Sequence, residues 1–394
     1  MPLMENGDTT SCDAGGATID SFRVLSSCFT GSVPDPARFP TLRTPYFRNV
    51  GKRARIAAPS EGHLLAALAR MIRNHPAVSK STDHPDLGSS EWRAGALERK
   101  LQCVDIPAFV RQFNCVASGG FGKKRGRDAD VIVFTKLSAA AATLDNIFRS
   151  AVYAHTETVL TVLGSTYRLP QGSAFAVAAA VHFAPAIAAW VGTDTRRCFR
   201  SVVLDPPWHN RSATRGGGYA TGGRVLNTIG SLPLMDWIRP GAIVGVWVTH
   251  DSRTVELARS WLARWLGPGV SVVQFAWLKV CETGEPCFPL PSATASVDAR
   301  KPFEVLLLAR YGGAPAAAAI LPPTLVFSSI PSHHSRKPPL AAVFAPYVGA
   351  QVDSGTENGV THLELFGREL QPGSLCIGDD ALRFNDERFF LQGK

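Results

Sequence analysis

The sequence predicts an α/β layered domain built on a mostly parallel sheet, and three observations predict it. From about residue 165 onward, short apolar runs alternate with helical patterns and turn residues. The runs are almost continuously apolar, as strands covered on both faces are. Between two of them, Thr254–Leu266 carries Val255, Ala258, Trp261, Leu262 and Trp265 on one helical face, with Gly267 placed to end the helix.

The strand candidates, in order, are Ser201–Leu204, Ala242–Val248, Val270–Trp277, Val305–Ala309, Leu325–Ile330 and His362–Phe366. Ahead of them, Ser173–Gly192 has no formal charge and is long enough to span a bilayer, which needs ~20 residues. His182 and Pro185 interrupt this alanine-rich stretch, so a buried strand, a turn and a helix explain it better. Asn210–Gly223, Cys281–Pro302 and Tyr311–Pro323 read as long loops, and the first is glycine-rich.

The N-terminal part has another texture. Residues 1–30 are rich in Gly, Ser, Thr and Asp and are expected to be poorly ordered. Residues 31–160 form a smaller accessory region, with a helix over Ser60–Arg73, and residues 161–394 form the main domain. Lys123, Lys124, Arg125 and Arg127 make a basic run that fits a nuclear address or phosphate contact as well as it fits a solvated loop.

The formal charge is +9, which favours a polyanionic partner. Eight scattered cysteines without a CxxC pair indicate neither a zinc site nor a disulfide framework, so no metal is expected. With Glu5 and Asp8 and no apolar core, the N-terminus does not read as a signal peptide.

The sharpest chemical signal is Asp205-Pro206-Pro207-Trp208, directly after an apolar strand. Open α/β sheets place their sites at the carboxyl ends of strands. An aromatic amine is a poor nucleophile because its lone pair is delocalised into the ring. A carboxylate and a carbonyl that accept its protons favour a pyramidal, more nucleophilic nitrogen. Asp205 supplies the carboxylate, Pro206 a carbonyl oriented by Pro207, and Trp208 a flat face for a base. The same four residues also fit a strand followed by a proline-rich turn. A second constellation, His362-Leu363-Glu364-Leu365-Phe366-Gly367-Arg368, ends a strand on a carboxylate and then a glycine, as nucleotide-binding sheets do for ribose hydroxyls. Lys337, ahead of Pro338 and a helical pattern, is a candidate to face a carboxylate.

These motifs, in this order, resemble the MT-A (seventy-kilodalton) family of adenine-N6 methyltransferases, and within it the methyltransferase-like four branch. The resemblance runs from Tyr167 to Phe390 and includes Tyr167–Pro170, Asp205–Trp208 with Asn210 and Ser212, Trp247-Val248-Thr249, Trp277–Lys279, Lys301–Glu304, Lys337–Leu340 and Leu363–Arg368. It implies a permuted Rossmann-like methyltransferase domain, in which the catalytic motif precedes the cofactor-binding strand, with helices on both faces of a mixed, mostly parallel sheet. It implies S-adenosylmethionine as cofactor, with Asp205, Pro206, Pro207 and Trp208 around the target amine. Lys337 then stands near the methionine end of the cofactor and Glu364 and Arg368 near its ribose, with Asp379 and Asp380 in the same site. The substrate-facing set is Asn210, Arg211, Ser212, Arg215, Tyr219, Trp247 and Lys279. The partner implied is nucleic acid, RNA or DNA, and neither a membrane nor a metal is implied. A nuclear monomer is expected, with the cytoplasm as a further location.

The chain also departs from the family pattern. Ala178-Ala179-Ala180-Val181 stands where an acidic residue usually meets the cofactor's adenine, and His250 where the branch prefers asparagine. Arg336 replaces a histidine, Glu369 an asparagine, and Gly378-Asp379 a Gly-Asn pair. These changes bear on cofactor affinity more than on chemistry. They leave a second reading open, a nucleic-acid-binding or scaffold subunit without catalysis. Methylation of cytosine N4 or of a glutamine amide shares the amine chemistry but not the resemblance.

Overall fold

The computed structural model describes residues 10–13, 16–19, 28, 132–134, 151–162, 165–192, 198–208, 223–281, 284–288, 301–315, 318–331, 336–348 and 359–390. The helix expected at Ser60–Arg73 and the basic run at 123–127 lie outside them.

Among the described residues, one sheet carries most of the strands. In chain order they are β1 (Thr10–Asp13), β2 (Gly16–Ile19), β3 (Ile132–Phe134), β4 (Val152–Ala154), β7 (Ala174–Val177), β8 (Phe199–Leu204), β9 (Ile238–Val248), β10 (Val272–Lys279), β11 (Phe303–Arg310), β12 (Thr324–Ser329), β13 (His362–Leu365) and β14 (Ser374–Gly378). Their spatial order is β1-β2-β12-β10-β11-β9-β8-β13-β14-β7-β4-β3. The centre, β9-β8-β13-β14-β7, is parallel throughout. β11 runs antiparallel between β9 and β10. A separate hairpin pairs β5 (Thr158–Val162) with β6 (Ser165–Leu169).

Alternation along the strands explains both covered faces. Val202, Leu204, Val244, Val246 and Val248 meet α1 (Phe183–Val191), α2 (Gly223–Gly230) and α3 (Ser252–Leu266) through Phe183, Ile187, Trp190, Ile229, Trp261 and Trp265. Val203, Ile243, Trp247, Phe275, Leu306 and Phe327 meet α4 (Ala341–Val348) through Val343 and Phe344. The expected mixed, mostly parallel sheet with helices on both faces is the architecture observed.

The uncharged stretch at 173–192 resolves into β7, a 3-10 turn at Ala180–His182 and α1. Among the described residues, no helix is long and apolar enough to cross a membrane. Asp251 caps α3 by accepting from the Arg253 N–H, and Gly267 ends it at φ 103°. The boundary drawn at residue 160 falls inside β5, and β4 on its N-terminal side pairs with β7 in the main sheet.

Candidate active site

The chain leaves β8 toward its neighbour β9 and leaves β13 toward its neighbour β14, on the opposite side. Adjacent parallel strands whose connections diverge open a crevice at their carboxyl ends. Asp205 and Phe366 are the residues that follow these two ends, and the Asp205 N–H donates to Leu365 O at 3.0 Å.

Register dictates the second wall. His362 pairs with Ser374 and Leu365 with Ile377, so residues 366–373 must return the length of β13 before β14 can start. Phe366 begins the return at φ 65°, a conformation bulky side chains rarely adopt, and its N–H donates to Ile377 O at 2.7 Å. Gly367 follows in close contact, since a Cβ there would lie 2.6 Å from Cys376 Sγ and 2.8 Å from Glu364 Cδ. The Phe384 N–H donates to Arg368 O at 2.9 Å, and Leu370 N–H donates to Asn385 Oδ1 at 2.8 Å, so the loop is anchored from beneath. The result is a cleft walled by Asp205, Trp247, Lys337, Glu364, Phe366 and Arg368 among others.

Charges across the cleft form a chain. Lys337 Nζ lies 3.3 Å from Asp205 Oδ1 and 2.5 Å from Glu304 Oε2, and Glu304 also pairs with Lys279. Burial pushes the Asp205 carboxyl up, with Lys337 and then Arg368 opposing it. Burial would lower Lys337, but Asp205 and Glu304 outweigh it and hold the ammonium charged. For Glu304 burial is likewise outweighed, by Lys279 and Lys337, and its carboxyl sits well below the usual range. Glu364 is different. Burial, then Asp205 and Glu369, push it up to about 8, with Lys337 opposing.

One expectation for the Asp205–Trp208 motif needs correction. Trp208 is not an open platform. Its ring stacks on Trp261 (centroids 5.3 Å apart, 13° between planes), its Nε1–H donates to Trp247 O at 2.7 Å, and it is 7% exposed. An apolar ring with its one donor satisfied internally belongs to the core, and here it pins the motif to α3. The Pro206 carbonyl already accepts the Trp208 N–H at 2.7 Å, which leaves its second lone pair for another donor.

The structure brings Asp205, Trp247, Lys337, Glu364 and Arg368 to one cleft. Pro206, Pro207, Trp208, Lys279, Asp379 and Asp380 are not among the residues that wall it. Asp380 stands behind Arg368, 3.7 Å from its Nε, and is also 3.2 Å from Arg383 Nη1. Asp379 follows β14, its carboxyl pushed up to about 6 by burial and Asp380, with Arg368 opposing. Asn210, Arg211, Ser212, Arg215 and Tyr219 lie outside the described residues. Among the described residues, no group of three or more His, Cys, Asp or Glu could hold a metal ion.

Sequence reasoning alone does not single out Glu304 as a site residue, although an acidic residue near the start of the apolar strand β11 is a signal for it. Arg336 and Glu369 were read only as departures. In the structure they line the cleft as each other's partners, Arg336 donating through Nε to Oε2 at 3.0 Å and through Nη2 to Oε1 at 2.8 Å. Their opposite signs were the available clue.

The residues present fit a nucleoside cofactor. Glu364 lies near the carboxyl end of a central strand, Gly367 lets backbone approach closely, and Trp247, whose buried Nε1 has no hydrogen-bond partner among the described residues, lines the cleft.

Comparison with known proteins points the same way. The family model described as MT-A70, the seventy-kilodalton family of the sequence resemblance, matches residues 199–380. The chain is 29% identical to human N(6)-adenine-specific methyltransferase METTL4, over 59% of this chain and 47% of that protein. It is 33% identical to N6-methyladenosine RNA methyltransferase MTA1 of Cryphonectria parasitica, over 49% of this chain and 55% of that one. A DNA N6-methyl methyltransferase of Caenorhabditis elegans is 29% identical over 49% and 48% respectively. The chain thus spans about half the length of the curated relatives it matches. Residues 199–380, which hold both Asp205–Trp208 and Leu363–Arg368, are thus the part of the chain that matches the MT-A70 family.

Proposed function

We propose that the chain transfers a methyl group from S-adenosylmethionine to N6 of adenine in nucleic acid. The observation that carries this reading is the shared cleft. An amine-accepting carboxylate, Asp205, and a hydroxyl-accepting carboxylate, Glu364, stand at the ends of the adjacent strands β8 and β13. The family and the activities named for its relatives support it.

The cofactor, when bound, supplies an electrophilic methyl group. Asp205 accepts an N–H of the target amine, and the free lone pair of the Pro206 carbonyl accepts the other. Both hold the nitrogen with its own lone pair directed outward. After the new N–C bond forms, the nitrogen carries a surplus proton and Asp205 is the acceptor in place. Burial favours that uptake, because it raises the proton affinity of the carboxylate. Lys337 opposes that effect of burial and favours the ionised carboxylate, and Glu304 in turn pairs with Lys337. Catalysis is then mainly positioning and preorganised electrostatics.

Structured RNA with an accessible adenosine is the first substrate choice, and DNA adenine the second. A monomer acting in the nucleus, with the cytoplasm as a further location, completes the reading. Asp380 is assigned a supporting place behind Arg368, and Asp379 and Lys279 places at the margins of the site.

The test is incubation with labelled cofactor and separate RNA and DNA pools, followed by nucleoside mass spectrometry. N6-methyladenosine or its deoxy form is the expected product. Asp205→Ala should lower turnover at least ~100-fold, the scale of one lost preorganised contact. Lys337 keeps Glu304 as a partner in that variant, so the fold should survive. Turnover within tenfold of wild type, by the same yardstick, sinks the assignment of Asp205. A folded wild-type protein that binds cofactor and nucleic acid yet methylates neither pool would favour the scaffold reading.

A further inference from the structure

Arg336 and Glu369 are 4% and 8% exposed and joined by two parallel hydrogen bonds. Removing two ions from water costs several kcal/mol each, and well-packed apolar residues serve stability at least as well. Stability alone therefore does not account for the pair. A two-pronged guanidinium–carboxylate contact does supply fixed distance and fixed orientation.

What it fixes is set by chain position. Arg336 immediately precedes Lys337, and Glu369 immediately follows Arg368. One comes from the segment that leads into α4 and the other from the return loop after β13, so the pair ties together the two segments that face each other across the cleft. Lys337 is committed to Asp205 and Glu304, and Arg368 contacts Asp380, so both walls depend on where these backbones stand. The surroundings reinforce the pair. The Arg336 guanidinium lies over the Phe384 ring at 5.8 Å. Cys28 donates from its thiol to Gln371 Oε1 at 3.5 Å, and burial and Glu369 push that thiol up to about 12, so it adds no third charge.

We propose that the Arg336–Glu369 pair is a clamp that sets the separation of the two cofactor-facing segments, and that the two residues work only together. They are positioning residues, acting on the cofactor through Lys337 and Arg368. The inference rests on the reading of this cleft as a cofactor site.

The experiment is a double-mutant cycle on the full chain. S-adenosylmethionine binding is measured calorimetrically for wild type, Arg336→His, Glu369→Asn and the double variant, at a temperature where melting curves show each one folded. Each single variant breaks the two-pronged contact and should bind at least ~10-fold more weakly, while the double should return to within ~3-fold of wild type. Single variants that bind like wild type, or a double as weak as the two losses multiplied, overturn the clamp. Wild-type protein that binds no S-adenosylmethionine removes the cofactor reading and the clamp with it. Should a single variant not fold, Arg336→Lys keeps the charge but not the fork. It should then bind more weakly with a melting temperature near wild type, and unchanged binding overturns the proposal.

Discussion

Glu364 shows how one side chain's surroundings set its chemistry. Burial and two nearby carboxylates push it up to about 8, so in the free protein at neutral pH it is mostly protonated. Ribose hydroxyls that donate to it need the carboxylate form. Binding of a nucleoside should therefore be coupled to proton loss and tighten as pH rises from about 6.5 to 8.5, by up to ~10-fold per pH unit for one proton. 5′-Methylthioadenosine isolates the effect, since it has the ribose but no amino-acid group that titrates in this range. Affinity measured across that window should rise for wild type and stay flat for Glu364→Gln. A flat wild-type profile would mean that Glu364 does not receive the hydroxyls. At the same scale, residue types at motif positions were legible in the sequence, while their pairings were not. Asp205 and Lys337 were both named, but their contact, and the place of Glu304 between two lysines, depends on three segments far apart in the chain. Trp208 was misread because its stacking partner, Trp261, sits on α3, and nothing local marks that contact.

At the scale of elements, strands with long apolar runs were the easiest to read. The expected 201–204, 305–309 and 362–366 compare with Phe199–Leu204, Phe303–Arg310 and His362–Leu365. Strand β14 was missed. Its five residues, Ser374–Gly378, follow Gly373 and end in glycine, so they read as part of a turn, and only pairing with β13 and β7 makes them a strand. The return loop that β14 requires is the tightest element in the site. Gly367→Ala would set a methyl group 2.6 Å from Cys376 Sγ and 2.8 Å from Glu364 Cδ. Either these two buried side chains or the loop must shift, at about 1–3 kcal/mol, the usual scale of overpacking. A lower melting temperature and weaker cofactor binding are the expected pair of effects. A variant that matches wild type in both measurements would show that the loop has slack there.

At the scale of the molecule, access decides what substrate the site can take. The Asp205 side chain is only 18% exposed, at the bottom of a cleft between the ends of β8 and β13. If the proposed substrate is the right one, an adenine amine engaged in a base pair cannot reach it, so the base has to leave its stack, at a cost of a few kcal/mol that single strands largely avoid. On the same proposal the nucleic-acid backbone lies near the cleft mouth. Arg211 and Arg215, three and seven residues after Trp208 in the sequence, are the candidate phosphate contacts. With a formal charge of +9 over the whole chain, phosphate contacts should make binding fall with salt, by a slope of about 0.7 per contact on a single strand. Matched single-stranded and duplex oligonucleotides, in both sugar types and at two salt concentrations, test both ideas together. Single strands or mismatched sites should be methylated faster than paired duplex, and Arg211→Ala with Arg215→Ala should flatten the salt dependence by about two contacts' worth. Equal, salt-insensitive rates on paired and unpaired substrates would defeat the extrusion argument and the phosphate argument alike. A steep salt slope that the double arginine variant leaves unchanged would move the phosphate contacts elsewhere on the chain, with the run at Lys123–Arg127 as the next place to look.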